Sequence, residues 1–366
     1  MFVDNYQVSN MLDYLKTKYA DTSSLNNGYF DCYTNIREEY SALKHGVGIH
    51  INLNSVIVEM TGKDVHDFLH RVSTNSIKDV APFYKRNTLF LNEKGRFIDR
   101  TICINLSDRF LLIGSKDGDN KLYNWINKYI IMEDIKTANV SSKYAVFDFI
   151  GSQVESYLTL ILGNELKSLN GENVLNPSVD GFNFLVFSHH EKSGVKYYKI
   201  VIEKEHSAKF VEYLLENKSV FDLSLAGEEA FNIFRVELGI PVSPNEINDE
   251  FNPHEIDLLH EINFTKGCYI GQEVIARLET YDKVQKKIAG VVINSDDEIS
   301  LPAEIFEQHG NDEIGVLTSS VKSLLLNQKI GLAVIRKKVL AEQNKLFLKT
   351  GSKEIPVAIK ELPFKK

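Results

Sequence analysis

The segment Lys266-Gly-Cys-Tyr-Ile-Gly-Gln-Glu-Val-Ile-Ala-Arg277 brings together a thiol, an amine, a phenol, an amide, a carboxylate and a guanidinium. We call it the signature segment. Gly267 and Gly271 flank Cys268 and permit a tight backbone on either side of the thiol. An acid, Glu273, and the final arginine then lie four residues apart, as in the first turns of a helix. The composition predicts a reactive site at a helix start, although a plain polar loop that caps a helix is the alternative.

The bulk composition is that of a globular protein. At 366 residues the chain exceeds the usual size of one core, so we expect two or three packed units. Hydrophobic residues make up 43% and charged residues 25%, which is ordinary. The formal net charge is −8, from 42 basic and 50 acidic residues. This balance argues against a dedicated nucleic-acid binder, because such proteins must neutralise phosphates.

The cysteines are Cys32, Cys103 and Cys268, far apart and without a C-x-x-C pair. This spacing is a poor basis for a disulfide framework or a self-contained zinc site, and it favours a reducing cytoplasm. The first residues lack a basic start followed by an apolar core, so no secretory signal is expected. No apolar run approaches the ~20 residues that span a bilayer. We therefore expect a soluble cytoplasmic protein that does not bind membranes.

The hydrophobic pattern predicts strands in hairpins with helices between them. Thr88–Leu91 and Ile98–Ile104 form such a hairpin, turning at Glu93–Gly95, and Val154–Leu162 is a predicted helix. This order indicates an α+β fold with antiparallel sheets rather than a doubly wound parallel sheet. The sequence contains no G-x-G-x-x-G motif and no Walker loop, so a nucleotide-phosphate fold has no support.

The signature segment resembles the K-G-C-Y-x-G-Q-E-x-x-x-R motif of the YgfZ-type folate-binding proteins. That family includes mitochondrial iron–sulfur assembly factors and is related to GcvT, the aminomethyltransferase (T-protein) of glycine cleavage. T-proteins usually carry an acidic residue where this chain has Cys268. Similarity to the family continues along the chain, in the order it requires, at Glu39–Ile49, Leu91–Arg100, Phe234–Pro241 and Ile314–Ser319.

The resemblance implies a GcvT-like folate-binding fold closed by a C-terminal β-barrel domain. We expect a helical lead-in at 1–45 and a folate-binding core at 46–283. The core would consist of two interlocked α+β subdomains with an internal boundary near 143. After Lys283 the short alternating runs independently predict a terminal β-barrel domain at 284–366.

Cys268 is the leading candidate for chemistry, together with Lys266. A cysteine between glycines at a helix start, close to a lysine, can have a lowered pKa and act as a thiolate. A small, well-packed structural cysteine is the alternative. Cys32 and Cys103 lie outside the signature segment and are predicted to be structural.

A second group of residues is predicted to bind folate. One carboxylate can accept hydrogen bonds from two adjacent N–H groups of a pterin ring. Glu237, in the family-like R-x-E-x-G segment, is therefore the candidate that binds the pterin. The alternative is that Glu237 belongs to a charge pair on the surface. Tyr269 could stack on the ligand or simply be half-buried. Three basic residues could attract the folate glutamate tail or could equally be solvated: Lys266, Arg235 and Arg277. Gln272 and Glu273 are further candidates for folate binding.

Asp99 is the third catalytic candidate. The resemblance implies a pair of acids here, whereas this chain has Asp99 followed by Arg100. An arginine in place of an acid reverses the local charge and should disturb the protonation of an aminomethyl substrate. For Asp99 alone, a structural role is favoured over a catalytic one.

Histidines give little reason to expect a metal. His66 and His70 lie four residues apart but have no evident third ligand, and the spacing of His254, His260 and Cys268 fits no standard zinc pattern. We therefore predict no metal site.

The resemblance leads to three hypotheses. The first is a protein that binds tetrahydrofolate or a derivative and assists iron–sulfur cluster synthesis or repair. Its partners would be iron–sulfur enzymes or cluster-assembly proteins, and its effects on tRNA modification would be indirect. The second is a folate-dependent aminomethyltransferase or demethylase that depends on Asp99. The third is an adaptor that has lost the ligand.

Overall fold

The computed structural model describes residues 11–26, 29–116, 120–281, 283–307, 312–340, 345–350 and 353–365. The α-helices in these ranges are α1 Met11–Lys18, α2 Ile36–His45, α3 Val65–Val72, α4 Lys121–Tyr129, α5 Val154–Leu162, α6 Lys204–Glu216, α7 Glu228–Leu238, α8 Gln272–Thr280 and α9 Lys337–Leu340. None of them combines the length and the apolar character needed to cross a bilayer.

The β-strands in the same ranges are β1 Ser24–Asn26, β2 Tyr29–Cys32, β3 Val47–Asn52, β4 Ser55–Thr61, β5 Tyr84–Leu91, β6 Phe97–Asn105, β7 Phe110–Lys116, β8 Lys136–Asn139, β9 Tyr144–Ile150, β10 Ser178–Val179, β11 Phe182–His190, β12 Lys196–Glu203, β13 Leu223–Ala226, β14 Lys286–Ile293, β15 Ala303–Glu307, β16 Glu313–Lys322, β17 Lys329–Arg336, β18 Leu346–Thr350 and β19 Lys353–Lys360.

The chain folds into two compact units that alternate along the sequence. The first comprises residues 1–58 and 139–231, and the second comprises residues 59–138 and 232–366. Within the predicted lead-in, α1 and α2 are separated by the β1–β2 hairpin, and residues 1–10 lie outside the described ranges. The domain boundaries expected from the sequence stay predictions.

The first unit is built around a six-stranded sheet in the order β10-β11-β12-β9-β3-β13. Neighbouring strands are antiparallel except β13, which runs parallel to β3. One face of the sheet packs against the apolar sides of α1, α5 and α6, where Leu15, Tyr157 and Phe210 are fully buried. Burial of these large side chains from several helices on one sheet face stabilises the unit.

The second unit contains a five-stranded sheet and a closed barrel. The sheet has the order β5-β6-β7-β4-β8, and the barrel has the order β14-β17-β16-β15-β18-β19. The predicted α+β class with antiparallel sheets and the predicted C-terminal barrel are therefore confirmed. Closing the sheet into a barrel removes its exposed edges, and alternate residues such as Val291, Ile305 and Leu348 fill the interior.

Candidate functional site

The signature segment forms a turn followed by α8, which begins at Gln272 as predicted. Gly267 has a φ of 104° and Gly271 a φ of 83°, values that glycine adopts at little cost. A Cβ atom at Gly271 would lie 2.5 Å from the carbonyl oxygen of Asn92. Asn92 begins the turn between β5 and β6, so only glycine allows this close approach. The signature segment thus packs against the turn between β5 and β6, although the two are distant in sequence.

Cys268 lies in this turn and is exposed rather than enclosed in apolar packing. The next positions differ in exposure: Gln272 is half-buried, whereas Glu273 and Arg277 are exposed on α8. An exposed thiol is accessible to a substrate or a partner, which catalysis requires. The predicted roles of these four residues stay predictions.

Lys266 and His70 are joined by reciprocal hydrogen bonds. The Lys266 Nζ atom donates to the main-chain oxygen of His70, and His70 Nε2 lies 3.1 Å from the main-chain oxygen of Lys266. The other ring nitrogen, Nδ1, accepts from the backbone N–H of Ile77 at 3.3 Å. Because Nδ1 accepts, Nε2 carries the proton and donates. Burial, followed by the nearby Lys266 charge, lowers the pKa of His70, which favours this neutral form.

The Lys266 ammonium has an unusual environment for a lysine. Its Nζ atom lies 5.4 Å from the centre of the Tyr269 ring, and no carboxylate of the described residues forms an ion pair with it. Burial lowers the pKa of Lys266 to about 8, because the charged form loses hydration without gaining a counter-ion. A larger fraction of this amine is therefore uncharged in mildly alkaline solution than of an ordinary lysine.

Tyr269 packs into an apolar cluster with Leu91, Phe97 and Ile275, and it is 7% exposed. Its hydroxyl is buried and has no hydrogen-bond partner among the described residues. Burial raises the pKa of Tyr269 to about 12, so the phenol stays protonated. A buried hydroxyl without a partner costs free energy, and a bound molecule could supply the missing hydrogen bond.

The Asp99 carboxylate is buried and engaged by its neighbours. It accepts from the backbone N–H of Arg100 at 2.8 Å and from that of Ser115 at 3.1 and 3.2 Å. The expected reversal of local charge at Arg100 is compensated, because its guanidinium binds Glu261 through Nε at 3.0 and 3.1 Å and Nη2 at 2.6 Å. Sequence reasoning missed Glu261. Its signal was an acid close to the apolar residues Leu258, Leu259 and Ile262.

Arg235, a candidate for the folate tail, is 2% exposed within α7. Its Nη1 atom lies 3.2 Å from Glu246 Oε2, and Nη2 donates to Ser319 Oγ at 2.8 Å. Its charge is thus neutralised inside the second unit.

Glu237, the candidate for the pterin, is also 2% exposed. Its Oε1 atom accepts from Ser323 Oγ at 2.7 Å and from the backbone N–H of Leu325 at 3.1 Å. These bonds tie α7 to the segment that follows β16. The folate-binding roles of Arg235 and Glu237 stay predictions, but both side chains have structural partners.

The first unit contains a charged row that sequence reasoning also missed. His50, Asp148 and Lys199 are direct cross-strand neighbours on β3, β9 and β12. Lys199 Nζ binds Asp148 Oδ1, and His50 Nε2 lies 3.2 Å from Glu228 Oε1. Burial alone would raise the pKa of Asp148, but the charges of Lys199 and His50 outweigh it and hold this pKa well below its usual range. The available signal was a charge between apolar neighbours, as in Phe147-Asp-Phe149.

Two family models together match most of the chain. A family model described as the GCVT N-terminal domain matches residues 4–266. A second model, the glycine cleavage T-protein C-terminal barrel domain, matches residues 286–366. The chain belongs to the GCVT family.

Relatives of this GCVT chain include two aminomethyltransferases. The one from Bacillus mycoides is 26% identical over 341 residues, which cover 91% of each chain. The one from Staphylococcus carnosus is 24% identical over 315 residues, which cover 83% of each chain. The crystal structure of glycine cleavage system aminomethyltransferase T from Bartonella henselae superposes with a TM-score of 0.81 and 17% identity, covering 96% of each chain. The predicted GcvT-like fold is thereby confirmed.

Proposed function

We propose that this member of the GCVT family binds tetrahydrofolate or a derivative and handles a one-carbon unit at the Cys268 turn. Membership of a family of folate-dependent enzymes supports the ligand. The observation that carries the role of the turn is the exposure of Cys268. Lys266, two residues before it, is held by hydrogen bonds with His70, and the backbone at Gly271 packs against the turn of the β5–β6 hairpin. The chemistry would take place in the cytoplasm.

One form of this function is aminomethyl transfer or demethylation. The relatives named aminomethyltransferase support it more directly than any other activity. Asp99 would act on the amine in this form. Its buried carboxylate is held by the Ser115 and Arg100 N–H groups, so its position is well defined.

The other form is assistance to iron–sulfur cluster synthesis or repair, with iron–sulfur enzymes or assembly proteins as partners. It is favoured by the YgfZ-like signature segment with its exposed Cys268. One thiol cannot hold a cluster alone, so a partner would supply the remaining ligands. Effects on tRNA modification would follow indirectly, through the iron–sulfur enzymes that carry it out.

Tetrahydrofolate binding, measured by calorimetry, tests the shared part of the proposal. We expect the wild type to bind and Glu237→Ala to lose affinity. Because Glu237 also holds Ser323 and Leu325, the variant must first be shown to be folded by circular dichroism. Glu205→Ala is the control, because it removes a glutamate whose side chain is 75% exposed and lies outside the proposed site. Unchanged affinity in folded Glu237→Ala would remove Glu237 from the site, and no binding by the wild type would refute the proposal.

Two substitutions separate the two forms. Aminomethyl transfer predicts turnover of a methylamine donor with tetrahydrofolate that is lost in Asp99→Asn and kept in Cys268→Ser. The iron–sulfur role predicts that Cys268→Ser fails to restore iron–sulfur enzyme activity in cells that lack the protein. Full rescue by Cys268→Ser, together with methylamine turnover, would establish the transferase and exclude the iron–sulfur role.

A further inference from the structure

A lysine and a cysteine lie two positions apart in the turn, and the function proposed above gives the lysine no chemical step. The Cα atoms of residues i and i+2 are at most about 7 Å apart. The Lys266 amine is at the end of four methylene groups, so it can approach the Cys268 sulfur once it leaves the His70 main-chain oxygen. The two nucleophiles can therefore act on one small molecule.

The surroundings of Lys266 suit an amine that reacts. Its Nζ atom contacts the main-chain oxygen of His70 and the face of the Tyr269 ring, and it has no acidic partner among the described residues. Burial lowers its pKa to about 8, which raises the fraction of free amine at a given pH. The hydrogen bond from His70 Nε2 to the Lys266 main-chain oxygen holds the Lys266 backbone in place.

Space and polarity at the turn suit a small polar substrate. Gly267 has no atom within 4 Å of the position where a Cβ would stand, so the side of the turn between Lys266 and Cys268 is open. The Tyr269 hydroxyl is buried and has no partner among the described residues. It could donate to the oxygen of a carbonyl compound bound beside Lys266.

We propose that Lys266 and Cys268 together capture formaldehyde and hold its carbon as a methylene bridge between nitrogen and sulfur. This inference rests on the one-carbon role proposed above and names the substrate class of the same site. Formaldehyde has the oxidation level of the methylene group that folates carry. Capture needs no oxidant or reductant.

The Lys266 nitrogen attacks the formaldehyde carbon to form a carbinolamine, which loses water to give an iminium ion. The Cys268 thiolate then adds to the iminium carbon and forms the C–S bond. One hydrogen from the amine and one from the thiol leave with the carbonyl oxygen as one molecule of water. The bridge is reversible, so the carbon can be passed on to a folate amine.

Isotope labelling of the full-length protein tests the capture. The protein is treated with dilute carbon-13 formaldehyde, digested with trypsin and analysed by mass spectrometry. We expect a peptide that gains one carbon atom and is not cleaved after Lys266. The Lys266 amine should react at least about tenfold faster than the amines of other lysines, because each unit by which an amine pKa falls raises its free-base fraction about tenfold. The bridge should be absent in Lys266→Arg and Cys268→Ser. It should persist in Lys63→Arg, a change at a lysine whose side chain is 75% exposed.

A hydride trap gives a second measurement. With cyanoborohydride present, the iminium of Cys268→Ser should be reduced to N-methyl-lysine at position 266, ahead of the exposed lysines. Bridge formation in the wild type should also rise as the pH passes through about 8. The position of the N-methyl group decides the question even if Lys266→Arg does not fold. A flat profile, or labelling spread evenly over the lysines, would overturn the inference.

Calorimetry on the same preparation separates this inference from the proposed function. Folate binding without a bridge at Lys266 and Cys268 refutes the inference alone. A bridge without folate binding refutes the folate role and leaves the capture chemistry standing.

Discussion

Two family-like segments of the second unit differ sharply in how their polar groups are used. In α7, Arg235 and Glu237 are each 2% exposed and are bound by Glu246, Ser319, Ser323 and Leu325. In the signature segment, Cys268 and Arg277 are exposed and Lys266 has no acidic partner among the described residues. Both segments carry the charges expected of a ligand site. In α7, however, those charges already make the bonds that hold the unit together.

This difference shows how a polar motif can serve stability in one segment and chemistry in another. A buried ion pair replaces the hydration that its members have lost, so removal of one partner leaves an uncompensated charge. An exposed or unpaired group has no such role, so its removal alters reactivity more than stability. Substitutions ranked by their effect on the free energy of unfolding therefore test the comparison directly.

The largest effect is expected for Arg235→Ala. The substitution leaves Glu246, which is 0% exposed, without its ion-pair partner. We expect a loss of about 3–5 kcal/mol in the free energy of unfolding. Fluorescence of the single tryptophan, Trp125, during denaturant unfolding reports on the second unit, where the ring is 7% exposed and packs against Phe90.

Arg277→Ala is the matched control, since it removes an exposed arginine from the signature segment. It should change the free energy of unfolding by less than about 0.5 kcal/mol. Equal effects of the two substitutions would show that burial does not distinguish the two segments.

A smaller loss is expected at the pair formed by Arg100 and Glu261, because the Arg100 side chain keeps 12% exposure. Glu261→Ala should cost about 3 kcal/mol, since it removes the carboxylate that binds a mostly buried guanidinium. The double change Arg100→Met with Glu261→Leu should recover most of that loss, because apolar side chains of similar size can replace a buried pair. Denaturant unfolding of both variants measures the coupling. A double variant that is less stable than Glu261→Ala would contradict this account.

Much of the fold follows from local signals. The helix Val154–Leu162 was predicted at both ends, because its apolar pattern stops at Gly163, which adopts a φ of 65°. Strand β15 was missed, since its stretch from Ala303 to Glu307 is short and has few alternating apolar residues. The charge balance at Arg100 was missed for a different reason. Its partner Glu261 lies 161 positions away, and no local pattern encodes that contact.

The site shows the same division between local and distant information. The tight turn and the helix start at Gln272 follow from the glycines and charges of the signature segment. The partners of Lys266 do not, because His70 reaches it from 196 positions away. Residue types thus predicted a reactive turn, whereas the state of its amine depends on tertiary contacts.

A modest, pH-dependent effect is expected for Lys266→Met. The folded-state pKa of Lys266 is lowered from 10.5 to about 8, so the unfolded state binds more protons between these values. Burial of the ammonium therefore costs stability below about pH 8, and this cost disappears as the pH rises toward 10.5. Relative to Lys266→Met, the wild type should gain stability over that interval. The gain should be on the order of 1 kcal/mol, because solvent screens a half-buried group.

Thermal and denaturant unfolding at several pH values measure this gain. Lys63→Met removes an exposed lysine and serves as the control. It should show the same pH dependence as the wild type. A constant difference between the wild type and Lys266→Met across the interval would mean that the amine is hydrated and does not titrate early.

The smallest effect on stability is expected for Cys268→Ser. The side chain is exposed, and the change replaces sulfur by oxygen without adding volume to a packed core. We expect less than about 0.5 kcal/mol in the free energy of unfolding. Cys103→Ser is the matched control, because that thiol is fully buried and burial raises its pKa far above the usual value. The hydroxyl it introduces would need a hydrogen bond inside the core, so this control should cost at least about 1 kcal/mol. If Cys268→Ser destabilised the second unit as much as Cys103→Ser, Cys268 would belong with Arg235 among the groups that hold the fold, and its role in chemistry would lose its basis.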